Sequence, residues 1–124
     1  MKEPNTKLDA RLDALCEYML TKPATSDGFP FGPEVMVFKV AGKIFALSPW
    51  EASPISVSLK CDPDRAAELR EQYSGIIPGY HLNKKHWNTV IMDDSVSMDL
   101  MHELIDHSYD LIVASLTKKQ RESL

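Results

Sequence analysis

Cysteine is scarce in this sequence, and long apolar runs and an excess of basic charge are absent; each of these features argues against a class of protein. Cys16 and Cys61 are the two cysteines among 124 residues, and they form no CxxC pair. A disulfide framework is therefore not expected, and both thiols are predicted to be reduced. No apolar run approaches the roughly 20 residues that cross a bilayer, and the polar first residues do not resemble a signal peptide. We expect a cytoplasmic protein with no membrane partner.

Catalytic and metal-binding patterns are also absent. The sequence has no GxSxG nucleophile elbow and no glycine-rich phosphate loop. His102 and His107 lie about 140° apart around a predicted helix, so they cannot hold one ion together. Cys61 falls on the apolar side of a predicted strand, and Asp62 and Asp64 beside it oppose thiolate formation. We expect a non-enzymatic protein with no metal and no cofactor.

The charges are nearly balanced overall but unevenly distributed. The net charge of −4 argues against a protein that coats nucleic acid. Residues 93–110 contain six acidic side chains and no lysine or arginine, whereas residues 35–89 contain a group of lysines: Lys39, Lys43, Lys60, Lys84 and Lys85. The net charge therefore neither supports nor excludes an anionic ligand.

What the sequence does contain is the pattern of one α+β domain over residues 1–124. Its 44% hydrophobic and 26% charged residues are ordinary for a globular chain. Apolar spacing and capping residues predict helices over residues 7–20 (capped by Thr6), from Asp62-Pro63, over 98–114 (capped by Ser97) and from the Thr117–Gln120 capping box. Strand patterns predict a hairpin over residues 35–47 around Ala41-Gly42, and further strands over 55–61 and 87–92.

Alternation along these strands divides their side chains between two faces. In the hairpin, the bulky face is predicted to be the core and carries Met36, Phe38, Val40, Phe45 and Leu47, while the other carries Val35, Val37, Lys39, Ile44 and Ala46. In the next strand the core side is Ile55, Val57, Leu59 and Cys61, and the other is Ser56, Ser58 and Lys60. If these strands share one sheet, its second face is partly open and carries lysines and small hydroxyl groups.

Two connecting segments are unusual in composition. Residues 26–33 read as a loop, and Phe29 and Phe31 are expected to pin it onto the core. Residues 76–89 combine two histidines, a lysine pair, a tryptophan and two asparagines, after a Pro78-Gly79 pair that fits a type II turn. This second segment is either a solvated turn before a core tryptophan or a surface that binds an anion.

Charge pattern alone favours the solvated turn. A strong nucleic-acid binder makes about 6–10 phosphate contacts, and the group described above has only five lysines. Trp87 is expected to be in the core, since Thr89 and Ile91 share its side of the strand and Ile91 needs burial.

Several motifs follow one another along the chain: FPFGP (residues 29–33), VFKV (37–40), SLKCDP (58–63), IPGYHLNKKHWNT (77–89) and LIDHSY (104–109). In this order they resemble the MmcQ/YjbR family of small bacterial proteins over nearly the whole chain. The resemblance implies an α+β fold in which helices pack on an antiparallel sheet, similar to secretion-chaperone and frataxin-like topologies. It also implies DNA binding through a double wing of two β-hairpins, with no catalytic residues and no cofactor.

On this resemblance, the hairpin of residues 35–47 would be one wing, and the acidic helix would face away from DNA. The predicted DNA contacts are Lys39, Lys43, Lys60, Lys84, Lys85, His86 and Trp87, and His86 would add pH-dependent charge. Two alternatives stay open, and a monomer is expected for each. One is a module that binds a protein or peptide on the open sheet face around Ser56, Ser58 and Lys60. The other is an enzyme or a small-anion binder with a pocket formed by Tyr80, His81, Asn83 and Lys84.

Overall fold

Six antiparallel strands form a single sheet in the computed structural model, which describes residues 9–79 and 82–124. The order across the sheet is β1-β2-β3-β4-β6-β5. The strands are β1 (Thr25–Gly28), β2 (Met36–Val40), β3 (Lys43–Ser48), β4 (Ser56–Lys60), β5 (Ile76–Pro78) and β6 (Trp87–Ile91). The helices of the described part are α1 (Ala10–Leu20), α2 (Pro63–Gln72), α3 (Met98–Ser115) and α4 (Lys118–Glu122).

Side-chain caps start each of these helices. Asp9 accepts the Arg11 N–H at 2.8 Å and begins α1, whereas the predicted cap Thr6 lies outside the described residues. The predicted caps of the other helices are confirmed: Asp62 for α2, Ser97 for α3 and the Thr117 capping box for α4. Caps are recognisable in a sequence because they satisfy orphan N–H groups through residues two or three positions away.

The first three helices all lie on one face of the sheet. Their apolar sides meet the sheet in a single core that contains Leu15 and Met19 of α1, Leu69 of α2, and Leu104 and Ile105 of α3. The strands contribute Phe38, Val40, Phe45, Ala46, Val57, Leu59, Ile76 and Val90 to the same core. We call the helix-covered side the core face and the opposite side the open face. The predicted α+β class, with helices packed on an antiparallel sheet, is confirmed.

A bulge in β3 interrupts the alternation of the hairpin. The ladder pairs Phe38 with Ala46, but pairs the next residue of β2, Lys39, with Ile44. Phe45 is therefore an extra residue on β3 with no cross-strand partner in this ladder. An extra residue shifts every following side chain by one position relative to strict alternation.

The consequence is that Phe45 and Ala46, although adjacent, are both fully buried in the core. Leu47 pairs with Val37 instead and lies half-buried on the open face. The placement of Leu47 on the core face and Ala46 on the other face was therefore wrong. The core positions of Phe38 and of Phe45 are confirmed.

Both edges of the sheet are strands that the sequence pattern did not indicate. β1 occupies part of the segment predicted as a loop, and it pairs with β2 from Thr25 to Gly28. Phe29 and Phe31, which follow it, are 45% and 65% exposed, so they do not pin the segment onto the core. At the other edge β5 ends in Pro78, where a strand without a further partner tolerates the missing N–H.

Gly79 follows β5 without the positive φ of a type II turn, so that prediction is also wrong. Its N–H donates to the carbonyl oxygen of Trp87 at 2.8 Å. A Cβ at this position would lie 2.8 Å from the Trp87 Cβ. The glycine is required by this close approach of two chains rather than by its backbone angles.

Both cysteines are buried and free. Burial raises the pKa of the Cys16 thiol to about 12 and raises the pKa of Cys61 as well. Both side chains therefore act as small apolar groups in the core, and the prediction of reduced thiols is confirmed. No helix within the described ranges combines the length and apolar character needed to cross a membrane.

Candidate functional site

The pairing of the strands shows which side chains share the open face, because residues directly opposite each other point to the same side. One row of partners runs across the sheet through Leu47, Ser58, Thr89 and Ile77. Lys60 and Trp87 form the next pair on the same face, two residues further along β4 and β6. The prediction that Ser58 and Lys60 point away from the core is confirmed.

The predicted lysines all lie at one end of the sheet. β2, β4 and β5 finish at this end, while β3 and β6 begin there, because the strands are antiparallel. Lys60 is the last residue of β4 and Lys39 the last but one of β2, and both lie near Lys43, the first residue of β3. Lys43 pairs with the core residue Val40 and so points to the core side, whereas Lys39 and Lys60 point to the open face. Lys84, Lys85 and His86 form the turn that leads into β6. We call this region the lysine end: Lys39, Lys43, Lys60, Lys84, Lys85, His86 and Trp87.

Trp87 lies on the open face, and the expectation that it is a core residue is wrong. The core side of β6 carries Asn88, Val90 and the following Met92, which are all buried. Trp87 is half-buried and sits opposite Lys60 in the strand ladder. The alternation of β6 was predicted correctly, but the face that the helices cover was not.

A serine from α3 holds β3 and β4 together below Lys60. The Ser108 hydroxyl donates to the Phe45 carbonyl oxygen at 2.6 Å and accepts the Lys60 N–H at 3.0 Å. Because of the bulge, the Lys60 N–H and the Phe45 carbonyl oxygen do not hydrogen-bond to each other. The buried Ser108 hydroxyl bonds to both groups instead. Ser108 therefore positions Lys60, a role that no local sequence signal indicated.

Arg70 of α2 anchors the turn at the lysine end. Its guanidinium donates to the Asn88 side-chain oxygen at 2.7 Å and to the Lys84 carbonyl oxygen at 3.2 Å. Asn88 is buried on the core side and donates in turn to the Ala66 carbonyl oxygen at 3.3 Å. This network fixes the start of β6 against α2. Nothing in the sequence near Arg70 indicates these partners, which are 14 and 18 positions away.

Asn83 shapes the turn itself. Its side-chain oxygen accepts the Lys85 N–H at 2.9 Å, and its carbonyl oxygen accepts the Trp87 N–H at 3.0 Å. The Lys84 ammonium donates to the Gly79 carbonyl oxygen at 3.2 Å, while Lys85 is exposed. Tyr80 and His81, the other members of the predicted small-anion pocket, lie outside the described residues.

The lysines of this region have no carboxylate partner among residues 9–79 and 82–124. The ion pairs of those residues involve other cations: Arg11 with Asp9 at 3.2 Å, Lys22 with Asp106 at 2.6 Å and Arg65 with Glu103 at 3.6 Å. Lys39 and Lys60 are separated by β3 alone, which puts their backbones about 10 Å apart. The lysine end is therefore a patch of unneutralised positive charge.

The middle of the open face is a shallow floor of small side chains. Ser58 and Thr89 are hydrogen-bonded to each other at 2.8 Å across β4 and β6. They are 6% and 4% exposed. Leu47 on one side and Ile77 on the other provide apolar borders, and Ile77 is 37% exposed. The floor leads directly to the Lys60–Trp87 pair.

The acidic residues of α3 lie on the other side of the sheet from this surface. Asp106 accepts the Tyr18 hydroxyl and the Lys22 ammonium, both at 2.6 Å, and His102 stacks on the Tyr18 ring at 4.0 Å. Although burial opposes it, these hydrogen bonds lower the pKa of Asp106. The hydrogen bond to Asp106 also raises the pKa of Tyr18 to about 12.

His107 reaches from α3 toward the end of β4, where its Nε2 accepts the Asp62 N–H at 3.1 Å. Burial, with help from Arg65, lowers the pKa of His107. His102, Glu103, Asp106 and His107 of α3 all contact groups outside their own helix.

The chain matches the YjbR family model over residues 20–111. It belongs to the YjbR family. The Escherichia coli K12 protein YjbR, named as uncharacterised, is 33% identical over 113 residues, which cover 91% of this chain and 96% of the relative. The uncharacterised protein YbdF of Escherichia coli O157:H7 is 42% identical over 94 residues, 76% of this chain and 77% of the relative.

Solved structures share the fold. A crystal structure of Deinococcus radiodurans protein DR2400, with the domain name DUF419, matches with a TM-score of 0.85 and 40% identity, over 90% of this chain and 86% of the other. A crystal structure of a Pseudomonas syringae protein matches with a TM-score of 0.70 and 27% identity, over 80% and 96%. The family and the fold inferred from the sequence motifs are both confirmed.

In this YjbR-family chain, three of the motifs that carry the resemblance contribute residues at or next to the lysine end. SLKCDP spans the last residues of β4 and the cap of α2, while residues 77–89 supply the end of β5, the turn and the start of β6. LIDHSY includes Ser108, which bonds to β3 and β4.

Proposed function

We propose that this protein binds DNA through the lysine end, where Lys39 and Lys60 point to the open face. The observation that supports the proposal best is the convergence of five lysines, from three strands and from the turn before β6, on one end of the sheet. Lysine ammonium groups are strongly attracted to phosphates, and a patch without internal ion pairs is available to them. The acidic helix α3 lies behind the sheet, where it does not repel an anionic ligand.

The proposed activity is binding without catalysis, cofactor or metal, by a monomer in the cytoplasm. The two buried free thiols are typical of a protein kept in a reducing compartment. In this proposal β2 and β3 form one wing, and the β5–β6 pair with its turn forms the other.

The proposal is tested with the double variant Lys39→Ala/Lys60→Ala and a charge-matched control, Lys118→Ala/Lys119→Ala. The control lysines are exposed on α4, which is not part of the sheet. Binding of fluorescently labelled DNA is measured by polarisation over a series of salt concentrations. The first variant should weaken binding to all sequences about equally and lower the slope of log K against log salt by about 1 per lost contact.

The control variant should bind like the wild type. If both variants weaken binding equally, the affinity comes from net charge and not from the lysine end. If the wild type does not bind DNA at low salt, the proposal is wrong, and a peptide partner or a small anion becomes the leading alternative.

A further inference from the structure

We propose that the open face takes single-stranded rather than duplex nucleic acid, with a base stacked on Trp87 and phosphates held by Lys39 and Lys60. This inference rests on the proposed function and specifies its ligand. It starts from the position of Trp87, which is on the open face, paired across the ladder with Lys60. An aromatic ring beside a cation is the combination that binds a nucleotide whose base is not hidden in a duplex.

The backbone of Trp87 is held firmly before any ligand arrives. Its N–H donates to the Asn83 carbonyl oxygen at 3.0 Å, and its carbonyl oxygen accepts the Gly79 N–H at 2.8 Å. Arg70 ties the same turn to α2 through Asn88 and Lys84. A ring on such a fixed backbone loses little conformational freedom when a base stacks on it.

The surroundings of Trp87 suit bases as well as phosphates. The next row of the open face has a floor of two small side chains, Ser58 and Thr89, between Leu47 and Ile77. This row lies about 7 Å from Trp87 along β6, since two residues of strand span that distance. A second unstacked base can therefore contact the apolar border of the floor, while Lys60 and Lys39 lie toward the other side.

A duplex fits this arrangement less well. Its outer surface is a phosphate backbone, and its bases are accessible only within the grooves. Laid on the open face, a duplex would use the lysines but would leave Trp87, Leu47 and Ile77 without apolar contacts. A single strand uses both the cationic and the apolar side chains, as sheet surfaces that bind RNA or single-stranded DNA do.

The test exploits the fact that the sequence contains only two tryptophans, Trp50 and Trp87. Trp50 lies in the loop after β3, where its indole N–H donates to the Pro33 carbonyl oxygen at 2.9 Å. The variant Trp50→Phe therefore leaves Trp87 as the sole tryptophan, and Trp87→Phe leaves Trp50. Each is titrated with a thymidine oligonucleotide of about 12 nucleotides, within the site sizes of single-strand binders, and with a duplex of equal length.

The single strand should quench the emission of Trp87 in Trp50→Phe and leave the emission of Trp50 in Trp87→Phe nearly unchanged. Polarisation measurements then compare Trp87→Leu, which keeps apolar volume, with Trp87→Phe, which keeps an aromatic face. The leucine variant should lose about 5- to 150-fold in single-strand affinity, the equivalent of one lost stacking contact. The phenylalanine variant should lose much less, and duplex affinity should be the same in both. Thermal melts verify that the variants are folded.

Failure of this inference is distinguishable from failure of the proposed function. Equal binding of both DNA forms, lowered by Lys39→Ala/Lys60→Ala but not by Trp87→Leu, would preserve DNA binding and overturn the single-strand preference. Unchanged Trp87 emission on saturation with single strand would overturn it as well, even if Trp87→Leu did not fold. If neither DNA form binds at low salt, both the inference and the proposed function are wrong.

Discussion

The core face and the open face of the sheet are made from the same strands, yet their side chains differ in kind. On β4, Val57 and Leu59 are 0% and 2% exposed and pack beneath the helices. The side chains between them, Ser58 and Lys60, point to the open face with Trp87 of β6. The covered face is mostly apolar, whereas the open face combines small hydroxyl groups, lysines and isolated apolar residues.

This difference indicates that the core face stabilises the fold and the open face is free to bind a ligand. Burial of apolar side chains under three helices supplies the folding free energy. The open face contributes less to stability, so its side chains can carry charge and aromatic surface for a ligand. Substitutions on the core face should therefore lower stability first, and substitutions on the open face should lower binding first.

The largest expected effect is that of Val57→Asp. An unpaired carboxylate beneath the helices costs several kcal/mol, which is a large part of the stability of a small domain. The matched change Lys60→Asp puts the same carboxylate on the open face of the same strand and should cost at most about 1 kcal/mol. Circular dichroism with urea unfolding measures both. Similar losses for the two variants would mean that the faces are assigned incorrectly.

Two leucines sharpen the comparison around the bulge. Leu59→Ala should lower the free energy of unfolding by about 2–5 kcal/mol, because a cavity opens in the core. Leu47→Ala removes the same atoms from the half-buried side of the open face and should cost about 1 kcal/mol. The prediction fails if Leu47→Ala is the more destabilising change, since strict alternation without a bulge would put Leu47 in the core.

Ser108→Ala tests the two hydrogen bonds that link α3 to the backbones of β3 and β4. Loss of the hydroxyl leaves the Lys60 N–H and the Phe45 carbonyl without this partner, at a cost of about 1–3 kcal/mol for buried groups. Ser115→Ala, on the same helix, removes a hydroxyl that donates only to the Ile112 carbonyl oxygen, at 2.6 Å within its own turn. This control should change the melting temperature far less, and equal shifts would contradict the role of Ser108.

The smallest effect concerns His107, beside the lysine end. Because the folded-state pKa of His107 lies below its ordinary value, the unfolded chain takes up the proton first as the pH falls. The stabilising effect of neutral His107 is therefore complete above about pH 6.5 and decreases as the pH drops toward the folded-state pKa.

Urea unfolding of wild type and His107→Gln at several pH values between about 5 and 8 isolates this contribution. Glutamine is neutral throughout, and its amide oxygen can still accept the Asp62 N–H. The difference in stability between the two proteins should favour wild type more at the upper end of that range. A pH-independent difference would show that His107 does not titrate in this way. Arg65, Asp62 and Asp110 are the charged groups that act on it.

Local patterns in the sequence determined much of the molecule. The caps Asp62, Ser97 and Thr117, the hairpin around Ala41-Gly42 and the two sides of β4 are all set by residues within a few positions of one another. The order of the motifs was enough to identify the family. The alternation of Ser58 and Lys60 with Val57 and Leu59 was enough to predict lysines and small hydroxyl groups on the second face.

Tertiary structure decided what those patterns leave open. Alternation divides a strand into two sides, but only the packing of α1, α2 and α3 determines which side is covered, and so Trp87 is on the open face. The bulge at Phe45 exists only in the pairing of two strands. Ser108 bonds to residues 48 and 63 positions away, and Arg70 to Asn88 18 positions away. Such partners meet only after the chain has folded, because nothing in their local sequence specifies which distant backbone groups will need a hydrogen bond.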